Sequence, residues 1–198
     1  MMTGGSPREG DGGMKSHFAC VPLTTACREG LKAVQQTLAD DAKKLNLRPS
    51  GLDDINFTLS VFRLSDERRA KHESEEQLVE SVNEVLKDFL SKRPRIELTF
   101  EGLGSFGSQI FFINVTNHEE VAALRQDMNT VLKQEGLVLA DNRFTPHVTL
   151  YRKRDNKRGA GYSGGGGVTV SDMVQRQGLP HVEASPVEQI ILKRLLGC

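Results

Sequence analysis

Net charge is the first thing this sequence lacks. Its 198 residues carry 26 basic and 26 acidic side chains, a formal balance of zero. No global field therefore draws in a polyanion, and any preference for phosphate must come from a local site. Cysteine is scarce too. Cys20, Cys27 and Cys198 are an odd set without paired metal-ligand spacing. They argue against a disulfide framework and read as reduced thiols of an intracellular protein. No apolar run reaches membrane-spanning length, and the N-terminus lacks a charged-then-apolar signal layout. The expectation is a cytoplasmic or nuclear protein with no membrane partner. What is present is an ordinary mixture, 37% hydrophobic and 26% charged, long enough to bury a proper core.

Along the chain, residues 1–15 are glycine-rich and poor in apolar groups, the composition of a disordered tail. The domain is expected over 16–198. Residues 17–23 are an apolar run of strand length. Over 28–47, Leu31, Val34, Leu38 and Leu45 share one helical face, and Arg48-Pro49-Ser50-Gly51 breaks the helix. Residues 55–61 alternate strictly, with Ile55, Phe57, Leu59 and Val61 facing one way and Asn56, Thr58 and Ser60 the other. Ser74-Glu75-Glu76-Gln77 is a capping box for a helix that carries Leu78, Val82, Val85, Leu86 and Phe89 inward.

Residues 95–100 alternate as a strand, and 101–107 read as a glycine-rich turn into another strand at 109–115. Asn117 and Glu120 cap a third helix with core positions Val121, Leu124, Met128, Val131 and Leu132, ended by Gly136. After 137–140, the segment 147–151 alternates with His147, Thr149 and Tyr151 on one side. Residues 154–167, basic and then a run of four glycines, predict a mobile loop. Val187, Ile190, Ile191 and Leu192 supply a last strand.

The order of elements repeats. A strand, an amphipathic helix and a strand bearing a polar-x-Thr-Leu tetrad occur at 17–61 and again at 109–151. Asn56-Phe57-Thr58-Leu59 and His147-Val148-Thr149-Leu150 hold the same place in each unit. This predicts two similar α/β lobes with both tetrads facing one cleft. Taken alone, His147-x-Thr149 is equally a half-exposed strand histidine beside a β-favouring threonine. Its repetition is what gives it weight. Period-two spacing puts an imidazole and a hydroxyl on one strand face, within reach of one phosphate. An imidazole can move a proton to or from a reacting oxygen, while threonine hydroxyls donate to the non-bridging oxygens. Such chemistry calls for no metal and no cofactor.

These residues carry a specific resemblance. The chain resembles the two-histidine (2H) phosphoesterase superfamily, and within it the 2′-5′ RNA ligase-like phosphoesterase domain of the nuclear/γ A-kinase anchoring proteins. The likeness runs from about His17 to Lys153. It rests on 18–23, the strand at 55–64, Glu101-Gly102-Leu103-Gly104-Ser105-Phe106, Glu135-Gly136-Leu137, and Phe144-Thr145-Pro146-His147-Val148-Thr149-Leu150. The resemblance implies an α/β (α+β), two-lobed, pseudo-symmetric fold with a central cleft between two antiparallel-type sheets. It further implies AMP-like nucleotide binding and, in some members, 2′,5′-phosphodiesterase chemistry. By position, His147, Thr149 and Thr58 fall on the family's histidine and its two phosphate-binding hydroxyls.

Asn56 falls where the resemblance expects the other catalytic histidine. An amide can hold a phosphate oxygen but does not titrate near neutral pH. Three readings stay open: a natural loss that leaves a nucleotide-binding domain, an engineered substitution that traps substrate, or a slower reaction on His147 and water. The leading expectation is a metal-independent phosphodiesterase, impaired at Asn56, acting on a 2′,5′-linked or 2′,3′-cyclic phosphodiester. The alternative is an inactive nucleotide- or RNA-binding module, and a third is a scaffold that merely kept the fold.

Other residues are weighed in the same way. Tyr151 contacts a base or ribose, or packs at the lobe edge; Phe106 borders the nucleotide, or plugs a hairpin. Arg152, Lys153, Arg154, Lys157 and Arg158 hold a longer RNA backbone, or form a solvated loop. His17, His72, His118 and His181 have no partner at useful spacing, and Cys20 and Cys27 read as small buried groups. The segment 31–36 is similar to a kinase-anchoring helix. Leu31, Val34 and Leu38 are expected in the core, however, which argues against an anchoring partner. The partners expected are a nucleotide or short oligonucleotide, bound by a monomer.

Overall fold

A computed structural model describes residues 16–51, 54–71, 73–154 and 168–195. The predicted tail, most of the predicted loop, His72 and Cys198 lie outside the described residues. In chain order the elements are β1 (His17–Pro22), α1 (Thr25–Thr37), α2 (Ala39–Lys44), β2 (Leu47–Pro49), β3 (Asn56–Leu64), α3 (Asp66–Arg69) and α4 (Glu75–Ser91). Then come β4 (Glu97–Leu98), β5 (Phe100–Phe106), β6 (Ile110–Val115), α5 (His118–Gln134), β7 (Leu137–Leu139) and β8 (His147–Lys153). The series ends with α6 (Val170–Val174), β9 (Ser185–Pro186) and β10 (Ile191–Arg194).

The strands form two antiparallel four-stranded sheets, ordered β10-β1-β3-β7 and β5-β6-β8-β2, beside a small β4-β9 ladder. The two orders match position for position. In each sheet the first strand of a repeat pairs with the strand that bears its tetrad. The short strand after each helix crosses over, so β7 pairs with β3 and β2 pairs with β8. The predicted duplication is therefore present, and each half completes the sheet of the other. A left-handed residue ends the helical segment before each exchanged strand, Asn46 (φ 56°) in one half and Gly136 (φ 79°) in the other.

The helices bury the stripes their periodicity predicts. Leu31, Val34 and Leu38 are fully inaccessible, as are Val82, Leu86, Val121, Met128 and Leu132. The burial of Leu31 and Val34 agrees with the expectation that this stripe belongs to the core. The capping box at Ser74 and Gln77 forms in full. Asn117 precedes α5, but its side chain accepts from no helix N–H; its Nδ2 donates to Glu120 and to the Glu97 carbonyl instead, tying α5 to β4.

Several local expectations are corrected. The stretch from 48 was expected only to break a helix, yet Leu47–Pro49 is an edge strand, where a proline costs no ladder bond. Residues 101–106 were read as a turn but form most of β5; the turn itself comes at 107–109. Gly102, at φ 70°, takes the extra residue of a bulge there, and Asn114 donates to its carbonyl. Val61 is only half-buried. The pairing of β3 with β1 skips one residue at Leu59, so beyond that point Ser60 and Phe62 face the core. His17, expected to have no partner, is buried with Nε2 2.7 Å from Glu75 Oε1, fastening β1 to α4.

Candidate active site

The two tetrads share more than their sequence. On β3 the residue skipped by the ladder is Leu59, between the Cys20–Thr58 and Ala19–Ser60 pairs. On β8 it is Leu150, between the Phe112–Thr149 and Phe111–Tyr151 pairs. Each tetrad thus ends in a bulge on its fourth residue. Before the bulge the strand alternates, leaving Asn56, Thr58, His147 and Thr149 half-buried on the outward face. At the bulge two consecutive residues lie inside, Leu59 with Ser60 and Leu150 with Tyr151.

Each bulge is held by a polar side chain at the same place in the helix of the other half. Gln35 follows Val34 in the apolar stripe of α1, and Arg125 follows Leu124 in that of α5. Gln35 Nε2 donates to the Leu150 carbonyl at 2.8 Å and to the Ser50 carbonyl at 3.1 Å. Arg125 Nε donates to the Leu59 carbonyl at 3.0 Å and to Ser60 Oγ at 3.1 Å. The helix of each half therefore secures the tetrad strand of the other half, α1 holding β8 and α5 holding β3. Neither residue was singled out in the sequence; a lone polar group inside an apolar stripe was the available signal.

Tyr151 is corrected by the same geometry. It was expected beside His147 and Thr149, but the bulge turns it inward, where it is buried and its hydroxyl donates to the Gln35 carbonyl. Burial pushes that hydroxyl up to about 12. Tyr151 is a core tether whose hydroxyl is engaged inside the fold.

β3 and β8, one from each sheet, are in contact. His147 Nδ1 lies 2.6 Å from the Thr145 carbonyl oxygen. A carbonyl only accepts, so Nδ1 carries the proton and the neutral ring keeps its lone pair on Nε2. Burial lowers the pKa of His147, partly opposed by the Thr145 carbonyl and reinforced by the charge of Arg152. Asn56 repeats the arrangement: its Nδ2 donates to the Asp54 carbonyl, also two residues back, at 3.1 Å. Thr58 Oγ1 donates to Asn56 Oδ1 at 3.5 Å, at the limit of a hydrogen bond.

Phe106 is 41% exposed, the large apolar side chain most open to solvent among the described residues, and it does not plug a hairpin. Its ring centroid lies 4.6 Å from Phe112 and 4.9 Å, edge-on, from His147; Phe112 lies 4.7 Å from His147. Two phenyl rings thus flank the imidazole. Phe112 was missed because it looked like any apolar strand residue. Gly104 makes room for it, since a Cβ there would sit 2.3 Å from the Phe112 ring.

Cys20 and Cys27 are buried, and desolvation raises their thiols to about 11 and about 12, out of the range of a nucleophile. Among the described residues no group of three His, Cys, Asp or Glu side chains has the placement to hold a metal. The described residues form no helix long and apolar enough to cross a membrane. Two grooves beside α4, of about 550 and 580 Å³, share Arg93 and Pro94 in their linings, and neither holds a tetrad residue. Chemistry, rather than depth, marks the β3–β8 face.

Two pseudo-symmetric antiparallel sheets with paired tetrads on adjoining strands define the fold of the 2H phosphoesterases, and solved structures bear this out. E. coli LigT complexed with 3′-AMP superposes with a TM-score of 0.57 at 17% identity, covering 91% of this chain and 87% of that one. The MHV ns2 PDE domain gives a TM-score of 0.58 at 14% identity, covering 92% and 99%. Residues 15–195 match the AKAP7 2′5′ RNA ligase-like domain, and the chain belongs to that family. Human A-kinase anchor protein 7 isoform gamma is 23% identical over 151 residues, 69% of this chain; the match spans 40% of that relative's length.

Proposed function

We propose that Asn56, Thr58, His147 and Thr149 form a nucleotide-binding site of phosphodiesterase type, in which His147 transfers the proton and Asn56 stands where a second histidine would. The observation that carries this reading is the shared hydrogen bond two residues back, His147 Nδ1 to Thr145 and Asn56 Nδ2 to Asp54. The amide keeps the contact that orients an imidazole while giving up the titrating nitrogen.

The two threonine hydroxyls donate to the non-bridging oxygens of one phosphate. His147 Nε2 accepts a proton from the attacking hydroxyl or water, and Phe106 offers a face on which a base stacks. LigT in complex with 3′-AMP and with ATP, on the same fold, supports a nucleoside phosphate as ligand. A 2′,5′-linked or 2′,3′-cyclic phosphodiester, free or at the end of a short oligonucleotide, suits this arrangement. Loss of one proton-transfer group lowers the rate by a factor on the order of 10²–10⁴. A second reading, a nucleotide-binding module without turnover, is favoured by that same Asn56.

Titration calorimetry with AMP tests the common ground of both readings. Thr58→Ala and Thr149→Ala are each expected to weaken binding, with folding unchanged by circular dichroism. Binding indifferent to both substitutions refutes the site.

A further inference from the structure

We propose that the substrate class this site turns over is a nucleoside pyrophosphate, cleaved at its phosphoanhydride bond, in preference to an ester whose leaving group is a ribose hydroxyl. The inference rests on the reading of the site given above and goes beyond the phosphodiesters named there to a different preferred substrate. Two independent observations carry it.

The first is the chemistry left at the paired positions. His147, with its Nδ1 proton held by the Thr145 carbonyl, presents Nε2 as a proton acceptor. Asn56, with one amide hydrogen held by Asp54, has a second to donate but no proton to give away. A site with a base and no acid favours leaving groups that depart unprotonated. A ribose alkoxide does not; a phosphate monoester, whose second ionisation lies at about 6, does. In the step, a water oxygen forms the new bond to phosphorus while His147 Nε2 takes its proton. The bond from phosphorus to the bridging oxygen breaks, and its electron pair leaves on the second phosphate. The imidazolium then returns the proton to solvent.

The second observation is a pair of arginines next to the site. Arg48 on β2 and Arg152 on β8 are directly opposite in the ladder, and both are exposed. Like charges so placed repel. Among the described residues no carboxylate lies within ion-pair distance of either. Because Leu150 bulges, Arg152 emerges on the outward face that carries His147 and Thr149. On β3 the residue one past inward-facing Ser60 is Val61, so the cationic pair has no counterpart in the other half. A single phosphate is served by the threonines. A second phosphate is what two unneutralised guanidinium groups beside them would bind.

The test compares kcat/KM for diadenosine 5′,5′-pyrophosphate and for 2′,5′-linked diadenosine monophosphate, in buffer containing EDTA. The protein is expected to cleave the pyrophosphate faster by at least about 100-fold, the scale of one missing general acid. In Asn56→His that ratio falls by a similar factor. Arg48→Gln with Arg152→Gln raises KM for the pyrophosphate more than for the ester, and His147→Ala removes turnover of both. Equal rates on the two substrates, or a ratio that Asn56→His leaves unaltered, overturn the inference. So does an uncleaved pyrophosphate when AMP still binds through Thr58 and Thr149, an outcome that leaves the reading of the site standing. Failure of AMP to bind at all removes both.

Discussion

Replacing Gln35 by methionine keeps the length of the side chain and deletes its amide. Gln35 is 7% exposed, so water does not stand in for what is lost. Of its two acceptors, the Leu150 carbonyl is bonded at 2.8 Å in a buried contact, and the Ser50 carbonyl at 3.1 Å in a partly buried one. An orphaned buried carbonyl costs about 1–3 kcal/mol, and a partly wet one roughly 0.5 kcal/mol. Burying a thioether instead of an amide returns on the order of 1 kcal/mol. The net expectation is a loss of about 0.5–2.5 kcal/mol, read as a lower urea midpoint at unchanged m-value. A functional loss should accompany it, because the Leu150 bulge is what turns Thr149 outward while Tyr151 stays inside. AMP affinity should therefore drop in protein that remains folded. A loss under 0.5 kcal/mol, or full affinity, would refute the claim that Gln35 fixes the bulge.

Four other outcomes are expected. Phe106→Ala should weaken AMP binding by about 1–3 kcal/mol, the worth of one stacked base, and leave inorganic phosphate binding far less changed; equal losses for both contradict base stacking. Gly104→Ala should push Phe112 off His147 and cost about 1–3 kcal/mol in thermal unfolding; a neutral result means the ring had room to move. Tyr151→Phe should lower stability by about 1 kcal/mol without altering nucleotide affinity, and an affinity change would restore its ribose contact. Burial holds the His147 pKa below its ordinary value, so its neutral, proton-accepting form is present at neutral pH. Turnover should rise as pH climbs through that lowered pKa and then stay flat. The same group contributes stability above about pH 6.5 that is lost as pH falls through the lowered pKa. A profile that declines across that range contradicts the role of base.

Much of this architecture was legible in the chain. The helical stripes of Leu31 and Val34 and of Val121 and Leu124, the capping box at Ser74, and the repeated tetrads all follow from local periodicity, and the duplication they suggested is real down to sheet order. What escaped was set by pairing rather than by composition. A bulge is a mismatch between two strands, so nothing in 56–61 or 147–152 alone shows that Leu59 and Leu150 are skipped. That single omission placed Val61 and Tyr151 on the wrong faces. Gly102 and Gly104 made 101–106 look like a turn because glycine lacks strand propensity, whereas here one glycine fills a bulge and the other clears space for Phe112. Pro49 ended a helix in the reading and sits in an edge strand in the structure, where its missing N–H is no loss. Among the candidate site residues, Asn56, Thr58, His147, Thr149 and Phe106 lie on or beside the outward face, and Tyr151 does not.

The central claim is that the β3–β8 face is a phosphodiesterase-type site with one proton-transfer group missing at Asn56. Its most direct test is hydrolysis of 2′,5′-linked oligoadenylate by the protein, by Asn56→His, and by Asn56→His combined with His147→Ala. A rate gain on the order of 10²–10⁴ in the single variant, abolished in the double, is the result this account predicts. A folded Asn56→His variant that binds AMP and gains nothing, or a gain that survives the loss of His147, would contradict it.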